Sequence, residues 1–199
     1  MANSKRDVPK ELPSSLSVTK DNMAALFSGL SRLVSREVLV GFPEGEDNER
    51  KPEPGEPEGL TNAALGYIHD NGSEDAHIPA RPFMVPGLES VKEETSSALG
   101  GAARVALSAR GGDAVEQRLH RAGSIAANGI KAKVNEGVPP PLADATVRAR
   151  ARRGRKGAKE ELERRSQGEA PGTDLAKPLV DTAQMRNAIT YAIRNREAE

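Results

Sequence analysis

The chain of 199 residues contains no cysteine and no tryptophan. The missing thiols exclude disulfides and cysteine nucleophiles and suit assembly in a reducing cytoplasm. Aromatics are scarce as well, at 3% of the chain: Phe27, Phe42, Tyr67, Phe83 and Tyr191. With only 36% apolar residues, a large rigid core is not expected. No stretch approaches the roughly 18 apolar residues of a membrane span, and MANSKRDVPKELP at the start has no apolar run of signal-peptide type. The expectation is a soluble chain made inside the cell, with no membrane partner. Net charge is missing too, because 29 acids balance 29 bases. Overall charge therefore points to neither a nucleic-acid binder nor an acidic tail protein.

The balance conceals an asymmetry. Residues 44–59 hold seven acids against two bases, with three prolines and no aliphatic side chain, so this segment reads as a mobile acidic loop. Residues 148–165 hold nine bases against three acids. Arg148, Arg150, Arg152 and Arg153 could neutralise phosphates, but no aromatics interleave them as a stacking platform. A solvated face, or a contact to an acidic partner such as residues 44–59 of a neighbouring subunit, fits the run better.

Periodicity divides the rest. Residues 1–13 read as a flexible arm and 14–199 as one α+β domain. SLSVT (15–19) suits a short strand. Asp21 can cap a helix with Met23, Leu26, Phe27, Leu30, Leu33 and Val34 at helical spacing. REVLVGF (36–42) is the strongest strand. A short helix follows from Thr61 or Asn62, with Ala64, Leu65 and Ile68 inward and Asn71-Gly72 as its stop. Residues 87–110 and 113–135 form a possible helical hairpin, rich in Ala and Gly, closed by three prolines. One more helix fits 142–152, and 153–176 reads as a basic linker. Asp181 and Thr182 can cap a helical turn before a strand with Ile189, Tyr191 and Ile193 on one face. Four aromatics lie before residue 84 and the fifth at 191, so the C-terminal strand should return to pair with the N-terminal one in a small antiparallel sheet. The helical middle then becomes an excursion from that core.

Catalytic patterns are lacking. There is no G-x-S-x-G elbow, no phosphate loop and no G-x-G-x-x-G after a strand. His69 and His77 stand eight apart across a glycine turn, a poor spacing for zinc, and His120 has no companion acid in a recognisable arrangement. The expectation is a chain that is not an enzyme, with no catalytic residue, no cofactor and no metal.

Four stretches, in order, carry a resemblance. They are VLVGFPEG (38–45), NAALGYIHDNGS (62–73), IPARPFMVPGL (78–88), and PPPLADATVRAR followed by KPLVDTAQMRNAITYAI (139–193). Together they resemble the tail-completion or neck proteins of long-tailed bacteriophages, including the Mu-type virion morphogenesis proteins. Asp70 stands where that pattern has Glu, and Ala183 where it has Gly. The resemblance implies a structural virion protein of the neck, assembled in the host cytoplasm as a homo-oligomeric ring, sixfold in this family. Its partners would be the head-side connector or stopper protein, the tail terminator or tail tube, and the genomic DNA passing through. It also implies that His69 ends a packing helix and that Arg81, Pro82 and Phe83 fix the chain's exit toward the long helices. Pro82 would supply locked backbone, Phe83 an anchor, and Arg81 a fork for a carboxylate or chain carbonyls. That motif, with Asp181 and Thr182, could be structural within the subunit or lie at an interface. The four arginines could face a partner or the DNA channel. The alternative function is a small nucleic-acid-binding factor using 148–165.

Overall fold

Dense β-branched residues between Arg36 and Gly41 make strand β1 (Arg36–Gly41), and TYAIRN makes β2 (Thr190–Asn195). The two pair antiparallel, with Val38 opposite Ile193 and Val40 opposite Tyr191. The expected closure of the C-terminal strand on the N-terminal one is therefore present, and the architecture is α+β. The protein is described by a computed structural model over residues 22–44, 59–108 and 112–196. The arm, the proposed strand 15–19, the cap at Asp21 and residues 45–58 of the acidic segment lie outside the described residues.

Eight helices accompany the sheet among the described residues: α1 (Met23–Val34), α2 (Asn62–Asn71), α3 (Met84–Ser90), α4 (Lys92–Leu107), α5 (Gly112–Glu136), α6 (Asp144–Arg152), α7 (Lys156–Ser166) and α8 (Gln184–Ala188). The longest, α5, is the axis of the fold; α1, α3, α4, α8 and both strands pack on it. One core cluster joins Phe83, Ile130, Val134, Val138, Leu179, Met185 and Ile189, with Val40, Phe42 and Leu65 against it. A second joins Ala102, Val105, Ala106, Val115 and Leu119 to Leu30, Leu33, Val38 and Ile193. A third, smaller cluster of Leu142, Val147, Ala158 and Ala176 belongs to α6 and α7.

Small residues let these helices approach closely. A Cβ on Gly87 would stand 2.6 Å from Cα of Ile130, so α3 and α5 touch backbone to backbone. A Cβ on Gly123 would stand 2.4 Å from the ring of Tyr191, whose hydroxyl lies 3.2 Å from Nδ1 of His120. The sheet thus sits directly on α5. The Ala- and Gly-rich hairpin expected from the sequence is built this way.

Several boundaries differ from expectation. Thr61 caps α2 by accepting the N–H of Ala64 at 3.1 Å, and Gly72 ends it at φ +81°, both as the sequence implied. Ala64, however, is exposed, because the inward face turns on Leu65 and Ile68. The first half of the hairpin is broken at Val91 into α3 and α4. The largest correction concerns 153–176, read as a linker. It contains α7, whose inner face is Ala158 and Leu162 with the fully buried Glu161 between them. A helix with so few apolar residues carries too weak a periodic signal to be seen in sequence.

Candidate functional site

The stretches singled out in the sequence converge on two guanidinium clamps. The first begins at the end of α2. The carbonyl of His69 accepts the N–H of Arg81 at 2.8 Å. The carboxylate of Asp70 accepts the N–H groups of Phe83 at 2.7 Å and Met84 at 3.0 Å. It thereby caps α3 from another element, which satisfies orphan donors and complements the helix dipole. Pro82 occupies the exposed turn, and Phe83 drops into the core with none of its surface exposed, worth about 1.5–3 kcal/mol of apolar burial. Arg81 is buried and donates to the carbonyls of Pro140 at 2.9 Å and Pro141 at 3.3 Å. Burial, with a smaller contribution from the charge of Arg150, pulls its pKa below the ordinary guanidinium value, although it stays protonated near neutrality.

The second clamp is Arg150. It donates to the carbonyls of Lys177 at 2.8 Å, Val180 at 3.0 Å and Pro178 at 3.0 Å, and its Nε lies 3.6 Å from Asp181. Arg153 and Arg155 bind the same carboxylate, Arg155 at 2.7 Å. Three arginines from α6 and its following turn thus hold the KPLVD segment in place. The sequence reading of Asp181 and Thr182 as helix caps needs correction. The residue before α8 is Ala183, in the left-handed region at φ +63°, and its methyl side chain cannot cap the helix. Thr182 accepts a bond from the side-chain amide of Gln184. Asp181 is taken by the arginines because their charge outcompetes a short helix end.

Arg148, Arg150, Arg152 and Arg153 therefore do not form one surface. Arg150 is buried on carbonyls, so it cannot serve as the interface or channel residue considered above. Arg153 is engaged by Asp181, and Arg148 lies 3.6 Å from Asp144 in an exposed pair. Arg152 alone of the four is exposed with no acid partner among the described residues. Further along, Glu161 accepts from Arg164 at 2.7 Å, from Arg165 at 2.8 Å and from the Gly172 N–H at 2.9 Å. Arg165 also reaches Asp144 at 2.6 Å. Burial would raise the pKa of Glu161, but the Gly172 bond and the two arginines hold it below the ordinary carboxylate value. Glu161 is a fixed anion at neutral pH and not a proton donor.

The sequence reading missed Asp70 as a cap and Glu161 as a buried hub. Glu161 had a signal: it lies between inward Ala158 and Leu162 and precedes Arg164-Arg165 at helical spacing. His69 and His77 are not joined by other ligand types; among the described residues no group of three or more His, Asp or Glu is arranged to hold a metal. Compared with protein-family models, with curated proteins and with solved structures, the chain matches none.

Proposed function

We propose that this chain is a structural virion protein of the neck of a long-tailed phage. It completes the tail and joins it to the head-side connector as a homo-oligomeric ring, sixfold by the family resemblance, around the DNA channel, and it catalyses no reaction. The observation that carries the reading is the convergence of the resembling stretches on one core. Val40 and Phe42 come from the first stretch, Leu65 from the second, Phe83 and Met84 from the third, and Leu179, Met185 and Ile189 from the last. Stretches that pack into one unit in this way support reading them as a single pattern. The left-handed Ala183 fits too, since φ +63° is the conformation that favours the Gly of the family pattern.

Assembly is supported by surface left over. Met23, Phe27 and Val34 form an exposed apolar stripe on α1, at 51%, 62% and 69% exposure. Among the described residues the sheet has two strands, so each keeps an unpaired edge. A ring needs one surface to meet a different surface of the next subunit, and a stripe plus a strand edge can supply such a pair.

The test is the particle, imaged with and without this chain. The reading expects ring-shaped density in the neck, lost on removal, with filled heads and free tails accumulating apart. Joined, infectious particles made without the chain would overturn it.

A further inference from the structure

We propose that the cleft between α4 and α5 binds the phosphodiester backbone of duplex DNA, with Arg104 and Arg118 as a phosphate fork and Arg121 beside them. The cleft holds about 520 Å³ and is lined by these three arginines, by Gly101 and, at its other end, by Glu93 and Glu94. The side chains of Arg104 and Arg118 run past adjacent glycines of α4, one from α4 itself and one from α5. Nη1 of Arg104 lies 3.9 Å from the point where a Cβ on Gly100 would stand, and Nη1 of Arg118 lies 4.0 Å from that point on Gly101. The absence of a side chain at Gly101 keeps this part of the cleft floor open beneath Arg118.

These charges differ from the basic run in being uncommitted. Among the described residues no hydrogen bond or ion pair engages the side chains of Arg104, Arg118 or Arg121, and all three are exposed. Guanidinium groups that line one cleft without an ion-pair partner favour an anion, and a phosphate oxygen pair matches an arginine fork. The two acids are seven and eight residues before Gly101, roughly 10–12 Å along α4, more than the Debye length of about 8 Å at physiological salt. An acidic peptide laid along the cleft would run over both. A convex duplex touching only the basic end would avoid them, so duplex DNA is the better fit. The choice of DNA rests on the ring reading above; the anion geometry does not.

The test is salt-titrated binding of a short duplex to the full chain, comparing wild type with Arg104→Ala/Arg118→Ala and with Arg148→Ala/Arg152→Ala. The first pair should lower affinity about tenfold or more at moderate salt and flatten the log–log salt slope by about 1.8, two phosphates' worth. The second pair should change affinity less than about twofold. An equal loss in both pairs, no loss in the first, or stronger capture of a polyglutamate peptide than of the duplex would overturn the proposal. Unchanged circular dichroism confirms that the exposed substitutions leave the fold intact, and Arg104→Lys/Arg118→Lys, which keeps charge without the fork, should bind at an intermediate level. The two readings fail separately. Joining that depends on the chain, with no effect of Arg104 and Arg118 on binding, sinks the cleft alone. A cleft that binds as stated in a chain dispensable for joining sinks the neck reading alone.

Discussion

The α4–α5 and α6–α7 hairpins contain the same kinds of residue and are held together by opposite means. The first is joined by apolar packing, with Ala102 and Ala106 fully buried in one cluster with Val115 and Leu119, and leaves its arginines outside. The second has little apolar surface, a cluster of four buried residues, and is tied by buried ions at Arg150 and Glu161. In the basic run, seven of nine cations lie within ion-pair distance of an acid. Density of charge in sequence is thus a poor guide to charge available for a partner. A run of bases that folds against acids becomes structure, whereas scattered arginines brought to one face become a surface.

The largest effect should separate neighbours within the run. Arg150→Ala removes the donor to three carbonyls and should cost on the order of 3–5 kcal/mol in a denaturant titration. Arg152→Ala, exposed and two residues away, should stay within about 0.5 kcal/mol of wild type. Neutralising all four arginines together would therefore unfold the α6–α7 region before it informed on any partner.

Acid should sharpen the same contrast. Glu161 has a folded pKa below its ordinary value, so its contribution is complete above the unfolded pKa of about 4.3 and is lost as pH falls through the lower folded value. Glu161→Gln should be destabilised most at neutral pH, with the gap to wild type closing below about pH 4. A gap that stays constant from pH 7 to the acid limit would show that the charge of Glu161 does not hold α7.

The α3–α5 contact beside the other hairpin should answer to volume and not to pH. Gly87→Ala places a Cβ 2.6 Å from the backbone of Ile130 and should cost about 1–3 kcal/mol, despite the better helix propensity of alanine. Melting curves of this variant should shift equally at pH 7 and pH 5. The smallest effect is a gain. Ala183→Gly relieves a left-handed alanine and should stabilise by about 0.4–1 kcal/mol, whereas Ala183→Val should destabilise.

Local signals made the frame legible: β-branched density at 36–42, the Thr61 cap, Gly72 and the C-terminal strand all correspond to observed features, although Ile189 ends α8 ahead of β2 and burial along β2 does not alternate. The pairing of the two strands followed from where the few aromatics lie. What sequence hid was long-range polar partnership. Asp70 bonds to backbone 13 residues on, Arg150 wraps a segment 27–30 residues on, and Arg104 and Arg118 line one cleft only because the hairpin folds. Such contacts have no period, so the basic run looked like a free surface and α7 like a linker.

The account turns on which arginines are committed inside the chain. An arginine-selective dicarbonyl reagent, applied briefly to the native protein and mapped by peptide mass, reads this directly. Arg104, Arg118 and Arg152 should label quickly, and Arg81, Arg150 and Arg165 should label only after unfolding. Labelling of Arg150 as fast as Arg152, or protection of Arg104 and Arg118 in the free protein, would contradict it.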